Sequence, residues 1–194
     1  MAFKLSNTAR SQSAAGNTTG GGYLSPSKVP SGGSVRFHII DAEPLEYFCV
    51  WGQSAEGQLK PFRFVEEPTP DDIAAELGDF ERRKNRDESA FEAPKFALSF
   101  AVWNYDTGSI QICEFSQKSL IRELDKISQE EDYADFNDWD FKLSKEGQGL
   151  TTEYTLRPVP CKDNSAANAA YEKAVKEGFD LKRLLTGANP FKAD

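Results

Sequence analysis

A chain of 194 residues with 39% hydrophobic and 12% aromatic content has enough to bury one core, too little for two full domains, and too much for a wholly disordered polymer. Its net charge of -8 is concentrated, because residues 67–80 carry -5 and residues 123–140 carry -7; the rest sums to +4, leaving room for a face that meets an anion. Three scattered cysteines, Cys49, Cys113 and Cys161, and the single histidine His38 argue against a disulfide framework or a clustered zinc site, so no metal or cofactor is expected.

Residues 1–21, rich in Ser, Thr, Gly and Asn, predict a flexible arm. From "GGSVRFHIID" the pattern turns to period two, with Val35, Phe37 and Ile39 on one face and Arg36 and His38 on the other. Alternation continues in "LEYFCVW" (45–51) and "KPFRFVE" (60–66), two strands joined by a Gly-containing loop. "PTPDDIAAELG" then has Pro ahead of acidic first-turn residues and a terminal Gly, the marks of a short helix.

The segment 95–115 reads as a hairpin around "NYDTGS", with Phe96, Leu98, Phe100 and Val102 on an apolar face and small residues tipped by Trp103 and Tyr105 on the other. Leu120, Ile121, Leu124 and Ile127 recur at helical spacing over 117–131, with Ser116 as the expected cap. Strands at 139–145 and 151–159 follow, then an alanine-rich helix from Asn164 and a short apolar anchor from Asp180. Seven alternating strands with one helix between two hairpins predict a mainly β chain, closed as a small antiparallel OB-fold-like barrel with inserted and C-terminal helices; residues 22–160 form the domain and 161–194 its C-terminal helix and tail.

Catalysis has little to stand on. His38 lies in a strand without a nucleophile beside it, the paired carboxylates fall in solvated helical runs, and "GGG" at 20–22 lacks the strand and helix of a phosphate loop, so the chain is read as a non-enzyme. Binding is better supplied. Arg36, Arg63, Lys95, Lys142 and Arg157 fall in or beside strands, Trp103 and Tyr105 stand near strand ends, and Arg82, Arg83, Lys84 and Arg86 crowd one loop. Such cations track phosphates while flat rings stack on bases. The competing reading is an acidic protein-interaction or assembly module without nucleic acid, in which the rings are core and the basic loop docks on the acidic helices.

"PKFALSFAVWNYDTGSIQICEFSQKSLIRELDKI" and the block Asp140, Phe141, Lys142, Lys145, Gly147, Gly149, Leu150, Thr152 and Tyr154 resemble bacteriophage single-stranded DNA-binding proteins, the OB-fold group of the phage T4 helix-destabilising protein. The likeness spans about residues 22–160. It implies a protein that coats single-stranded DNA, with RNA as a possible substitute, without strong sequence preference during phage replication or recombination. Replication or recombination proteins would then meet its acidic helices. No span of roughly 20 apolar residues and no N-terminal signal run is present, so the expected setting is cytoplasmic, in the bacterial host, with no membrane partner.

Overall fold

The structure is a computed structural model that describes residues 22–41 and 43–192, so the arm expected over 1–21 lies outside the described residues. Nine strands form among the described residues: β1 (Tyr23–Leu24), β2 (Gly33–Ile39), β3 (Leu45–Gln53), β4 (Leu59–Phe64), β5 (Glu81–Arg82), β6 (Lys95–Asn104), β7 (Ser109–Phe115), β8 (Trp139–Glu146) and β9 (Glu153–Pro160). Seven are the strands expected from the alternation. The other two, β1 and β5, are two residues long and carry no period of their own; β1 runs parallel to β7, and β5 pairs with β3.

All nine belong to one mixed sheet. Its main path is β1-β7-β6-β2-β8-β9, and β3 branches from the N-terminal half of β6, carrying β4 and β5. The long strand β6 makes this possible by pairing with β3 through Lys95–Ser99 and with β2 through Val102–Asn104. The expected closure into a barrel is not made: no ladder among the described residues joins β9 back to β7 or β1. Helix α2 (Lys118–Gln129) lies across that gap instead, packing on both β9 and β7.

Strand parity gives the sheet two distinct faces. On the inner face Val35, Phe37, Phe100, Phe115, Phe141, Leu143 and Leu156 form the main core with Leu120, Leu124 and Ile127 of α2. Those three recur at i, i+4 and i+7, the stripe a helix turns toward a core. The N-cap of α2 is Gln117 rather than the expected Ser116, and its side chain makes no cap bond. Helix α1 (Pro70–Leu77) starts as expected, on a Thr69 cap that exchanges bonds with Asp72, and it covers the inner side of β3 and β4 through Ile73 and Leu77. Gly52 permits that contact, since a Cβ there would lie 2.6 Å from Leu77.

The outer face is covered only in its middle. Helix α3 (Ser165–Lys176) and a 3₁₀ turn at Leu181–Thr186 bring Phe179, Leu184 and Leu185 down on Ala101, Ile112, Tyr47 and Cys49. The small residues Ala97, Ser99 and Ala101 on β6 let this C-terminal segment approach the backbone. Both ends of β6 stay uncovered by it.

Candidate nucleic-acid interface

On the outer face β2, β8 and β9 lie side by side, and their register places Arg36 opposite Lys142 and Lys142 opposite Arg157. Tyr105 extends this row to the end of β6, its amide donating to the Arg36 carbonyl at 3.2 Å. Directly opposed residues hold their Cβ atoms roughly 5 Å apart, where like charges repel. Three cations are thus aligned across three strands, with a tyrosine at one end. Ser34, Ser144 and Thr155 form the next cross-strand row, and the facing acids Glu146 and Glu153 end the basic surface toward the hairpin tip.

Arg36 is fixed by a buried carboxylate. Its Nε donates to Asp140 Oδ2 at 2.8 Å, its Nη2 donates to the same oxygen, and its guanidinium stands 5.2 Å from the centre of the Tyr105 ring. Asp140 is wholly buried yet well supplied with donors: the Tyr105 hydroxyl donates to Oδ1 at 3.0 Å, and His38 Nδ1 lies 3.1 Å from the same atom. A buried carboxylate needs such partners to offset the loss of water. Arg36 itself remains 45% exposed, so its charge is oriented without being hidden. Burial, then the bond to Asp140, holds the Tyr105 hydroxyl well above the usual tyrosine range, so it acts as a donor at neutral pH.

Asp140 belongs to the candidate site by its contacts, and pattern reading did not assign it there. Its signal was an acid two residues before Lys142, on the cationic face of an alternating strand. The ligand atoms of His38, Asp140 and Cys161 lie within 4.8 Å of one another. Arg36 holds Oδ2 of that carboxylate while the Tyr105 hydroxyl and His38 Nδ1 share Oδ1, so both oxygens already have protein partners and Asp140 serves as the socket of Arg36. Cys161 sits at its edge, Sγ 3.9 Å from the Tyr105 hydroxyl, its thiol pushed up by partial burial and by Asp140.

The residues expected to line one groove fall into two groups at opposite ends of β6. Arg36, Trp103, Tyr105, Lys142 and Arg157 come together, with Trp103 half-buried opposite His38. Arg63 does not join them. Its side chain, only 10% exposed, stacks 5.3 Å from the Tyr47 ring, donates to the Leu184 carbonyl at 3.3 Å and lies 3.8 Å from Glu114. Lys95 stands at the far end of β6, paired with Glu92 at 3.6 Å.

Two of the four cations of the basic loop are engaged within its own hairpin, while Lys84 and Arg86 are exposed. Arg82 donates to the Glu92 carbonyl at 2.8 Å and stacks on Phe91, while Arg83 Nε lies 3.7 Å from the Glu92 carboxylate. Lys84 bridges to Phe91 through the backbone, and Asp79, Glu81 and Glu88 line the same cleft as Arg86. Among the described residues the loop's ion pair is thus the local one between Arg83 and Glu92, and no ion pair joins the loop to α1 or α2. Comparison with protein-family models, with curated proteins and with solved structures finds no match for this chain.

Proposed function

We propose that the protein binds single-stranded DNA, without strong sequence preference, along the outer face of β2, β8 and β9. The observation that carries this reading is the registered row Tyr105, Arg36, Lys142 and Arg157. Cations set directly opposite one another cost folding stability, and a phosphate backbone laid along the row repays that cost. Tyr105, 37% exposed, and the half-buried Trp103 offer ring surface beside the phosphate track, where each stacked base is worth about 1–3 kcal/mol.

Two further features agree. The strand path β7-β6-β2-β8-β9, with α2 inserted between β7 and β8, supports reading the sheet as an OB-fold-like barrel left open at one seam, a class that serves oligonucleotide binding in many proteins. The acidic helix α1 packs on the inner face, with the sheet between it and the cations, whereas α2, which packs there too, carries three basic and two acidic residues, and most of the second acidic run follows it at 130–138. In this reading the chain is a non-enzymatic coating protein of phage replication or recombination, and the exposed acids of residues 67–80 and 130–138 remain available to protein partners.

Fluorescence anisotropy with labelled oligo-dT at two salt concentrations tests the proposal. Binding that weakens with a slope of log affinity on log salt of about -2 is expected for three phosphate contacts on a single strand. Absence of binding at low salt would favour the interaction-module reading instead.

A further inference from the structure

The tip of the β8–β9 hairpin holds a leucine in water. Leu150 is 101% exposed, the most exposed of the large apolar side chains among the described residues. The turn that presents it is held in place: the Thr151 hydroxyl donates to the Gln148 carbonyl and the Thr152 hydroxyl to the Gly149 carbonyl, each at 2.9 Å. Gly147 is required there, since a Cβ on it would lie 2.1 Å from the Thr151 carbonyl oxygen. Behind the leucine Glu146 and Glu153 face each other across the two strands, both exposed and neither in an ion pair among the described residues. Like charges directly opposed in this way cost folding stability.

Elsewhere on the molecule an open groove of about 890 Å³ runs between α2 and the start of β6, lined by the half-buried Phe96, Ile121 and Phe136 and by Leu98, Pro44 and Pro94. No residue of the hairpin lines it, so the chain does not fill it with its own Leu150. Lys118 and Arg122, one turn apart on α2, line it as exposed cations, again without an ion pair among the described residues. Like charges at that helical spacing are also unfavourable. The first turn of α2 carries no acid and its cap makes no side-chain bond, so the positive end of the helix adds to the field of the two cations. Of the acids lining the groove, Glu92 lies 3.6 Å from Lys95 and 3.7 Å from Arg83, Asp125 accepts from Gln129 at 2.9 Å, and Glu46 stands exposed on β3.

We propose that this groove receives the β8–β9 hairpin tip of a second copy of the chain, with Leu150 entering beside Phe96, Ile121 and Phe136 while Glu146 and Glu153 meet Lys118 and Arg122. Two like-charge pairs, each unfavourable inside one chain, become two opposite-charge pairs between chains. That complementarity, beside a leucine with no cover of its own, makes a second copy the occupant. The contact joins two different surfaces, so each copy keeps a free tip at one end and a free groove at the other, and copies add head to tail rather than closing as a two-fold pair. One leucine and two exposed ion pairs make a contact of the weak, transient class. No residue of the Arg36 row takes part, so the contact belongs to the free chain whatever the row binds.

Sedimentation of the full chain without DNA, at concentrations up to about 1 mM, where weak contacts become populated, tests the proposal. The average mass should rise with concentration. Leu150→Asp should abolish that rise while leaving the melting temperature unchanged, because the side chain it replaces is fully exposed. Lys118→Glu with Arg122→Glu should abolish it too, and so should Glu146→Lys with Glu153→Lys. Mixing these two charge-reversed chains should restore association, since the tip of each then complements the groove of the other. Glu46→Gln should strengthen association severalfold, because it removes an acid from a groove that takes an acidic tip. A chain that stays monomeric at every concentration, association that survives Leu150→Asp, reversed chains that do not associate when mixed, or weaker association in Glu46→Gln each overturns the proposal. A monomeric chain in which Leu150→Asp weakens the binding of a short oligo-dT gives the tip to nucleic acid instead.

Discussion

Asp140 decides how much of the basic row is usable. Without its carboxylate, Arg36 loses two charge-assisted bonds and Tyr105 and His38 lose their shared acceptor. Breaking a fully buried pair costs about 3–5 kcal/mol. Arg36 is 45% exposed and can recover water, so Asp140→Asn should cost less, about 2 kcal/mol in denaturant unfolding. Oligo-dT affinity should fall as well, although the substitution removes a negative charge from beneath the basic row. A gain in affinity would mean that Arg36 needs no orientation. Cys161 reports on the same place. Cys49 and Cys113 are buried and Cys161 is half-buried, so a thiol reagent under native conditions should label Cys161 alone. Saturating oligo-dT should slow that labelling several-fold if the strand passes over Tyr105.

At the level of elements, most of the fold was legible because burial on one side imposes its own period. Phe96, Leu98, Phe100 and Val102 face the core as alternation requires, and the stripe Leu120, Leu124 and Ile127 turns α2 inward. Pairing between distant strands has no such local imprint. Nothing in β9 or β7 tells that their edges stay apart with α2 between them, and two-residue strands such as β1 and β5 have no period to read. Half of the candidate site was legible for a similar reason. Arg36, Lys142 and Arg157 had the right parity, and parity plus register suffices to align them. Arg63 has equal parity, yet the C-terminal turn at Leu181–Thr186 buries it, a contact across 121 positions that no strand pattern encodes. The row makes a prediction in which stability and function move oppositely. Neutralising Lys142 and Arg157 together with Gln removes repulsion between directly opposed cations, worth about 0.2–1 kcal/mol, so thermal unfolding should shift slightly upward. The same variant should bind oligo-dT more weakly and lose about one to two units of salt slope. A fall in melting temperature with unchanged affinity would assign the row to the fold.

For the molecule as a whole, a net charge of -8 coexists with a DNA-binding reading because the acids are gathered in two stretches, 67–80 around the inner-face helix α1 and 123–140, mostly in the turns that follow α2. Screening at physiological salt acts over about 8 Å, so carboxylates farther than that from the row weigh little against a phosphate that meets it directly. The C-terminal segment belongs to this arrangement, since it seals the middle of the outer face over Tyr47, Cys49, Ala101 and Ile112. That seal can be read by alkaline titration. Burial pushes the Cys49 thiol up to about 11 from an ordinary value of 9.0, and burial with the bond to Asp41 pushes the Tyr171 hydroxyl up to about 12 from 10.0. Both groups are neutral when protonated, and both bind their proton more tightly in the folded chain. Their contribution is therefore fully present below pH 9, where folded and unfolded states alike hold the proton. It is lost as pH rises, because the unfolded thiol ionises first and draws the equilibrium toward unfolding. Between pH 9 and 11 Cys49 alone should take away about 2 to 3 kcal/mol, at 1.36 kcal/mol for each pKa unit, with Tyr171 adding to the loss toward pH 12. Denaturant unfolding measured from pH 8 to 11 should show this decline, and Cys49→Ala, although less stable at pH 8, should show a visibly shallower one. An equal slope in the variant would mean that the C-terminal segment opens before the thiol titrates, and that the outer face is sealed less tightly than the packing of Leu184 and Leu185 implies.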